Sequence, residues 1–369
     1  MEVPKFRFSW RRLLLLLLLV LLMLWVISRF TDFRNLAQTL ATARWGWVAV
    51  AAVLHLGYFV MNARLYVFGF GVVSVAARLR EMVPVMFAAY FVNVVAPSGG
   101  TAGAALFIDD AVGRGESGGR AAVGTILVLL ADLATLIPFV VYSLVFLKLE
   151  NRLRFYDTLG SAVFVAFILL LSGAIAVSRF KPGLLQAVLG RLQGAVNRVG
   201  ARFHHPNLLE PGWASETALE FQEAAKGIGR RPKALGLALA WATLMHAVNL
   251  AGLYFLFLAF EQPVSLGTLT AGFSMGIIFW VVTVVPSGLA AVEGIMALVF
   301  TATGIPSGKA AAVVLAFRGL NFWMPLAVGF FLLRNVRTFR RRRPAAAGKS
   351  GLGRGHAPTG SRGPGRGPS

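Results

Sequence analysis

Cysteine is absent from the 369 residues, which excludes disulfides, thiolate metal sites and cysteine nucleophiles and leaves the redox compartment open. Histidine is scarce, and its five scattered residues give no metal-ligand spacing. Acidic residues number 15, and charged residues of both signs make up only 14% of the chain, too few for a soluble surface of this size. No Ser/His/Asp set, P-loop or Gly-x-Gly-x-x-Gly signature occurs, and no soluble domain is evident that would hold an activated donor. No cofactor and no metal are therefore expected, and any energy source must be a gradient, a partner or none.

Apolar residues fill the chain instead. At 57% hydrophobic and a mean hydropathy of +0.71, the sequence predicts a polytopic all-α membrane protein. Its expected fold is about six spanning helices plus two broken or re-entrant helical hairpins forming an inverted repeat. The net charge of +21, from 36 Lys and Arg, would suit nucleic acid. The basic residues lie in loops beside apolar segments and in the tail, however, which topology and anionic lipid headgroups explain. Membrane lipids, and no nucleic acid, are the expected partners.

Lys5, Arg7, Arg11 and Arg12 precede the apolar run Leu13 to Ile27, and no Ala-x-Ala-like site follows, so an uncleaved helix with its amino end inside is expected. A second helix runs from Trp45 to about Phe70, and Arg64, Arg78 and Arg80 mark the cytoplasmic side. Further spans are expected at Ala121 to Leu147, Leu159 to Val177, Ala234 to Phe260, and Lys309 to Leu333. The polar insert 178–232 contains Leu184, Leu185, Val188, Leu192, Val196 and Val199 at helical spacing. That amphipathic helix either lies on the membrane surface or packs on other cytoplasmic helices. The membrane domain is thus 1–333, with halves at about 13–178 and 233–333, and 334–369 is a basic cytoplasmic tail too rich in Gly, Pro, Arg and Ser to bury a core.

Helix breakers cut two apolar runs. Pro97-Ser98-Gly99-Gly100 falls between Glu81 and Ile108, and Pro286-Ser287-Gly288 between Leu266 and Thr303. Pro97 and Pro286 are 189 positions apart, as are Arg120 and Lys309, which open the next spans. A proline removes a helix hydrogen bond, and in hydrocarbon the freed backbone groups find partners only inside protein or beside a wet cavity. Each break could be a plain loop between two spans, but a matched pair points to a substrate site at a repeat interface. If both broken segments return to the side they came from, the basic insert is cytoplasmic; if both cross, it lies outside. The positive-inside rule favours the first arrangement, which inverts one half relative to the other and puts both termini of a multi-pass inner-membrane protein in the cytoplasm.

Arg318 lies nine residues past Lys309, about 14 Å along a helix, near the bilayer middle. A guanidinium there costs about 2.5 to 3.5 kcal/mol and requires a partner or a wet cavity. Glu293, five residues beyond Gly288, is the nearest acid in sequence. The pair either fixes helix packing or serves a lipid phosphate, bound by Arg318 and held or released by Glu293. The other half offers Arg120 and, about 18 Å further along a helix, Asp132. Asp109 and Asp110 are expected at the cytoplasmic surface, while His55, Asn62, His246 and Asn249 are expected to hydrogen-bond between helices.

Asn62-Ala63-Arg64-Leu65, the run Phe91 to Gly100, and Pro286-Ser287-Gly288-Leu289 with Glu293, Gly304-Ile305-Pro306, Arg318, Trp323, Pro325 and Gly329 resemble the flippase-like family named for the transmembrane region of lysylphosphatidylglycerol synthase. The resemblance covers most of Leu13 to Leu333 and is closer in the second half. It implies a membrane domain that moves a lipid between leaflets. In the multiple peptide resistance factor that domain is followed by an aminoacyl-tRNA-dependent lysyltransferase domain, which this sequence does not include, so synthase activity is not expected. Thr101 stands where the family usually has an acid, and Ala131 where a basic residue usually precedes the aspartate kept as Asp132, which implies a reduced polar site in the first half. The candidate substrate-binding set is Arg318, Glu293, Arg120, Asp132, Arg64 and Asn93 with Pro97, Ser98, Gly99, Gly100, Pro286, Ser287 and Gly288, and no residue is expected to be catalytic. The expected function is translocation of an anionic or phosphate-bearing lipid. The alternatives are a membrane-embedded lipid-phosphate transferase, with Glu293 or Asp132 as base, and a non-transporting accessory subunit.

Overall fold

The computed structural model describes residues 41–95, 101–202, 209–230, 232–282, 288 and 290–332, among which no strand occurs. The expected first helix, Leu13 to Ile27, and the tail lie outside the described residues. Among the described residues, five helical stretches are long and apolar enough to cross a membrane: Trp45–Val72, Gly118–Leu149, Phe155–Phe180, Pro232–Ala259 and Ser307–Leu332. The protein is an all-α polytopic membrane protein.

In chain order the helices are α1 (Trp45–Val72), α2 (Leu79–Val95), α3 (Thr101–Gly113), α4 (Gly118–Ala134), α5 (Ile137–Leu149), α6 (Phe155–Phe180), α7 (Pro182–Arg202) and α8 (Trp213–Arg230). They continue as α9 (Pro232–Ala259), α10 (Leu266–Val282), α11 (Ala291–Ala302), α12 (Ser307–Arg318), a π-helical turn (Gly319–Trp323) and α13 (Met324–Leu332). The two halves repeat one pattern. Helices α1 and α9 each have 28 residues, α2 and α10 each have 17, and α3 and α11 have 13 and 12. The core helices α1 and α9 run antiparallel: the Arg44 N–H donates to the Ala259 carbonyl at one end, the His55 ring lies on Gly252 midway, and Trp241 Nε1 donates to the Met61 carbonyl beyond it.

Both broken segments are hairpins. Asn93 Oδ1 accepts from the Gly103 N–H near the tip of the first, while at its base Arg114 on the α3 side meets Glu81 and the Ala76 carbonyl on the α2 side. In the second, Gly272 faces Phe300 and Gly276 faces Met296, so close that a Cβ on either glycine would overlap its partner. At about 25 Å for 17 residues and 20 Å for 13, these arms fall short of a bilayer core of about 30 Å. The two ends of each hairpin lie on the same side of the helix bundle, and small residues let its arms meet at backbone distance. The halves interlock by exchanging their last half-helices: α13 packs on α2, and α5 packs on α10.

The span expected from Ala121 to Leu147 is present, within Gly118–Leu149. This helix breaks at Thr135–Leu136, because Pro138 in the first turn of α5 has no N–H to donate and its ring would collide with the carbonyl one turn back. Pro325 stands 187 positions later in the last span, where the π-turn Gly319–Trp323 accommodates it and keeps the helix continuous. The insert forms α7 and α8. Ala214, Ala218, Phe221 and Ala225 of α8 are buried, and α8 packs against α4 and α6. Helix α7 packs Leu185 on neighbouring helices, while its Leu184, Val188 and Leu192 form an exposed stripe.

Candidate functional site

Arg318 ends α12 immediately before the π-turn, and Glu293 sits in the first turn of α11. Arg318 Nε donates to Glu293 Oε1 at 2.6 Å, and the guanidinium lies 4.6 Å from the centre of the Phe322 ring, four residues on. The side chains are 8% and 17% exposed, so this ion pair is largely withdrawn from solvent. Its geometry is incomplete on the acid side, because Glu293 Oε2 is buried without a hydrogen-bond partner. Backbone irregularity surrounds the pair. Gly288 has φ +62°, and Ala290, which precedes α11, is held at φ 65°, ψ −32° and offers no side-chain cap to the first-turn N–H groups. A helix start without a side-chain cap, beside a buried guanidinium, is chemically suited to an anion.

A second polar station belongs to the first half. Asp132 on α4 has Oδ1 3.0 Å from His246 Nε2 on α9, and the same nitrogen is 3.1 Å from the Asp132 carbonyl. Tyr58 on α1 is hydrogen-bonded to Tyr90 on α2 and to Asn62. Each core helix thus sends a buried histidine toward the other half's last span: His246 to Asp132 and His55 to the edge of Phe317.

The remaining predicted site residues are scattered. Arg120 is not part of a cradle with Arg318: it lies half-exposed at the start of α4, donating to the Ser74 carbonyl and paired with Glu116. Lys309 plays the same role in the other half by donating to the Phe260 carbonyl, so this matched pair staples each span to the loop behind it. The register match between Arg120 and Lys309 is real, but it marks a structural staple at the ends of helices. Arg64 stacks over Phe68 on its own helix, and Asn93 fastens the first hairpin. Pro97, Ser98, Gly99, Gly100, Pro286 and Ser287 lie outside the described residues, and Gly288 is buried next to Trp280 and Val292. Asp110 is not a surface acid, being buried against Arg114 at 2.9 Å, whereas Asp109 lines an open groove of about 430 Å³ along the first hairpin with Val92, Ala102 and Ala105.

Sequence reasoning missed Arg114, Phe322 and the tyrosines. Spacing alone could have found the first two, since Arg114 follows Asp110 by four and Phe322 follows Arg318 by four. Nothing in the sequence marks Tyr58 and Tyr90 as neighbours.

Comparison with known proteins agrees with this architecture. The family model described as the lysylphosphatidylglycerol synthase TM region matches residues 13–329. A UPF0104 membrane protein of Methanothermobacter thermautotrophicus is 26% identical over 140 residues, 38% of this chain and 41% of that protein. Another, from Pyrococcus horikoshii, is 22% identical over 114 residues, 31% of this chain and 34% of the relative. The matched region thus spans less than half of either relative. No solved structure matches the chain.

Proposed function

The chain belongs to the lysylphosphatidylglycerol synthase TM region family, and from that membership we propose that it translocates an anionic or phosphate-bearing lipid between the leaflets of the cytoplasmic membrane. One observation carries the reading: the buried Arg318 guanidinium is paired with Glu293, whose second oxygen has no hydrogen-bond partner. A buried pair built only for packing would satisfy both oxygens, because an unpaired buried acceptor costs about 1 to 3 kcal/mol. A lipid phosphate can displace Glu293, take two parallel N–H bonds from the guanidinium, and accept from the first-turn N–H groups of α11. Return of Glu293 to Arg318 then expels it. The acyl chains stay in the bilayer, and the face carrying α7 and α8 lies in the cytoplasm by the positive-inside rule.

The test uses the purified chain in proteoliposomes with a fluorescent anionic phospholipid whose leaflet is read by chemical quenching. Arg318→Ala lowers exchange by roughly tenfold or more, equivalent to ~1.4 kcal/mol or more in the barrier. Arg318→Lys recovers only part of it, because a point ammonium cannot make the paired bonds. Removing one partner of a buried pair also weakens the fold, so the apolar double variant Arg318→Leu/Glu293→Leu serves as control: it folds but does not exchange lipid. Undiminished exchange by either variant removes the role of Arg318. The transferase alternative requires instead that the purified chain form a new lipid product.

A further inference from the structure

Headgroup binding at Arg318 leaves the Asp132–His246 station unexplained. His246 is 2% exposed and its Nδ1 has no partner. Asn249, on the same helix three residues on and also 2% exposed, has an acceptor, Oδ1, with no partner. Asp132 Oδ1 is within contact range of the imidazole yet makes no hydrogen bond of its own. Three such unsatisfied polar atoms on the facing helices α4 and α9 are costly, and ionisable groups at membrane depth mark function more often than architecture.

One small ligand suits all three atoms. A proton taken up by the neutral imidazole makes both ring nitrogens donors. Nε2 then bonds to Asp132, whose negative charge is neutralised, and Nδ1 gains a use for the Asn249 acceptor one turn away on the same helix. The step balances simply: the imidazole nitrogen binds one proton from water, no covalent bond breaks, and the couple goes from net −1 to neutral. A larger cation is disfavoured, since the imidazole already sits against the carboxylate and the described residues hold no group of three ligating side chains.

The surroundings leave the couple as the ionisable centre of this region. Tyr58 and Tyr66 of α1 and Tyr90 of α2 lie beside Asp132. Charges on the other neighbouring elements are engaged elsewhere: Arg318 of α12 with Glu293, Arg114 of α3 with Asp110, Arg64 of α1 over Phe68, Asp157 of α6 with the Arg154 N–H, and Lys226 of α8 with Glu223. His55 of α1 is turned to the Ala51 carbonyl. Asp132 itself is 23% exposed at its side chain.

We propose that Asp132 and His246 form a proton-binding site inside the membrane domain, and that its loading drives lipid movement at Arg318. The first clause stands by itself, and the second rests on the translocator reading. The two are tested separately. Nitrogen-15 histidine NMR of the full chain in nanodiscs follows protonation directly. A resonance that is lost in His246→Gln shifts reversibly as the pH is scanned through the window in which an imidazole can gain a proton. In the isosteric Asp132→Asn variant that resonance no longer titrates in this window, and it can be read even if His246→Gln does not fold. A His246 resonance that stays unchanged across the range, or one indifferent to Asp132→Asn, overturns the site whether or not lipid moves. For coupling, a pH difference imposed across proteoliposomes accelerates exchange of the labelled anionic lipid at least threefold, and His246→Gln abolishes that acceleration. A titrating His246 with exchange blind to the gradient overturns the coupling alone. No exchange by the wild-type chain under any gradient overturns the translocator reading and the coupling with it, while the titration still decides the proton site.

Discussion

Ala290 is held at φ 65°, ψ −32°, a conformation that L-residues avoid because Cβ crowds the backbone, and it immediately precedes the helix that carries Glu293. Strain of this kind persists where the surroundings impose it, and here it sits at the proposed site. Ala290→Gly is expected to relieve about 1 kcal/mol of strain, partly offset by the freer unfolded chain, and to raise the thermal unfolding midpoint in detergent slightly. Exchange should fall if the strain helps to aim Glu293, and stay level if it does not. Gly288 behaves oppositely: its φ is +62° and a Cβ would come within 2.7 Å of Val292, so Gly288→Ala lowers the same midpoint. The Arg318–Glu293 pair was legible in the sequence because an ionised group at membrane depth needs a counter-charge and only one acid lay near. The orphan Glu293 oxygen was not, since it depends on which neighbours fold around it.

At the scale of the helices, contact rather than conformation decides. Gly329 on α13 faces the Phe87 carbonyl of α2, where an added Cβ would sit at 2.2 Å. Backbone cannot yield as a side-chain tip does, so Gly329→Val forces the exchanged half-helix away from the first hairpin and destabilises by about 1 to 3 kcal/mol or more. Gly319, in the π-turn of the same span, has nothing within 4 Å of the equivalent position, and Gly319→Ala should leave the unfolding midpoint nearly unchanged. The contrast is read by thermal unfolding of both variants in one detergent. The prolines announce the breaks in these spans, but the form of each break depends on packing. At Pro138 the helix divides, whereas at Pro325 a π-turn keeps it continuous.

For the whole molecule, the inverted arrangement makes a prediction that the absence of cysteine makes convenient to test. Single cysteines at Ala76 and Gly113, the two ends of the first hairpin, should react with a membrane-impermeant maleimide from one side of the membrane only. Cysteines at Gln262 and Thr303, the ends of the second, should react only from the other. Labelling of Ala76 and Gly113 positions from opposite sides would mean that the hairpin crosses, and the inversion would be lost. The exchange of α5 and α13 between halves also ties the two repeats together, so any alternation of access must move the hairpins against the antiparallel α1–α9 core.

The sequence by itself determined the class, the spans, the two matched breaks and the buried cation with its acid. These follow from local quantities, namely hydropathy, breaker residues and the cost of charge in hydrocarbon, which any segment carries wherever it packs. Only the tertiary structure decided that Arg120 is a staple, that Asp132 belongs with His246, and that the tyrosines and Asn62 gather beside them. Asp132 and His246 are 114 residues apart, and such a pairing depends on the relative rotation of two helices. A helix turned by one residue presents a different face, and that angle is set jointly by all the helices packed around it.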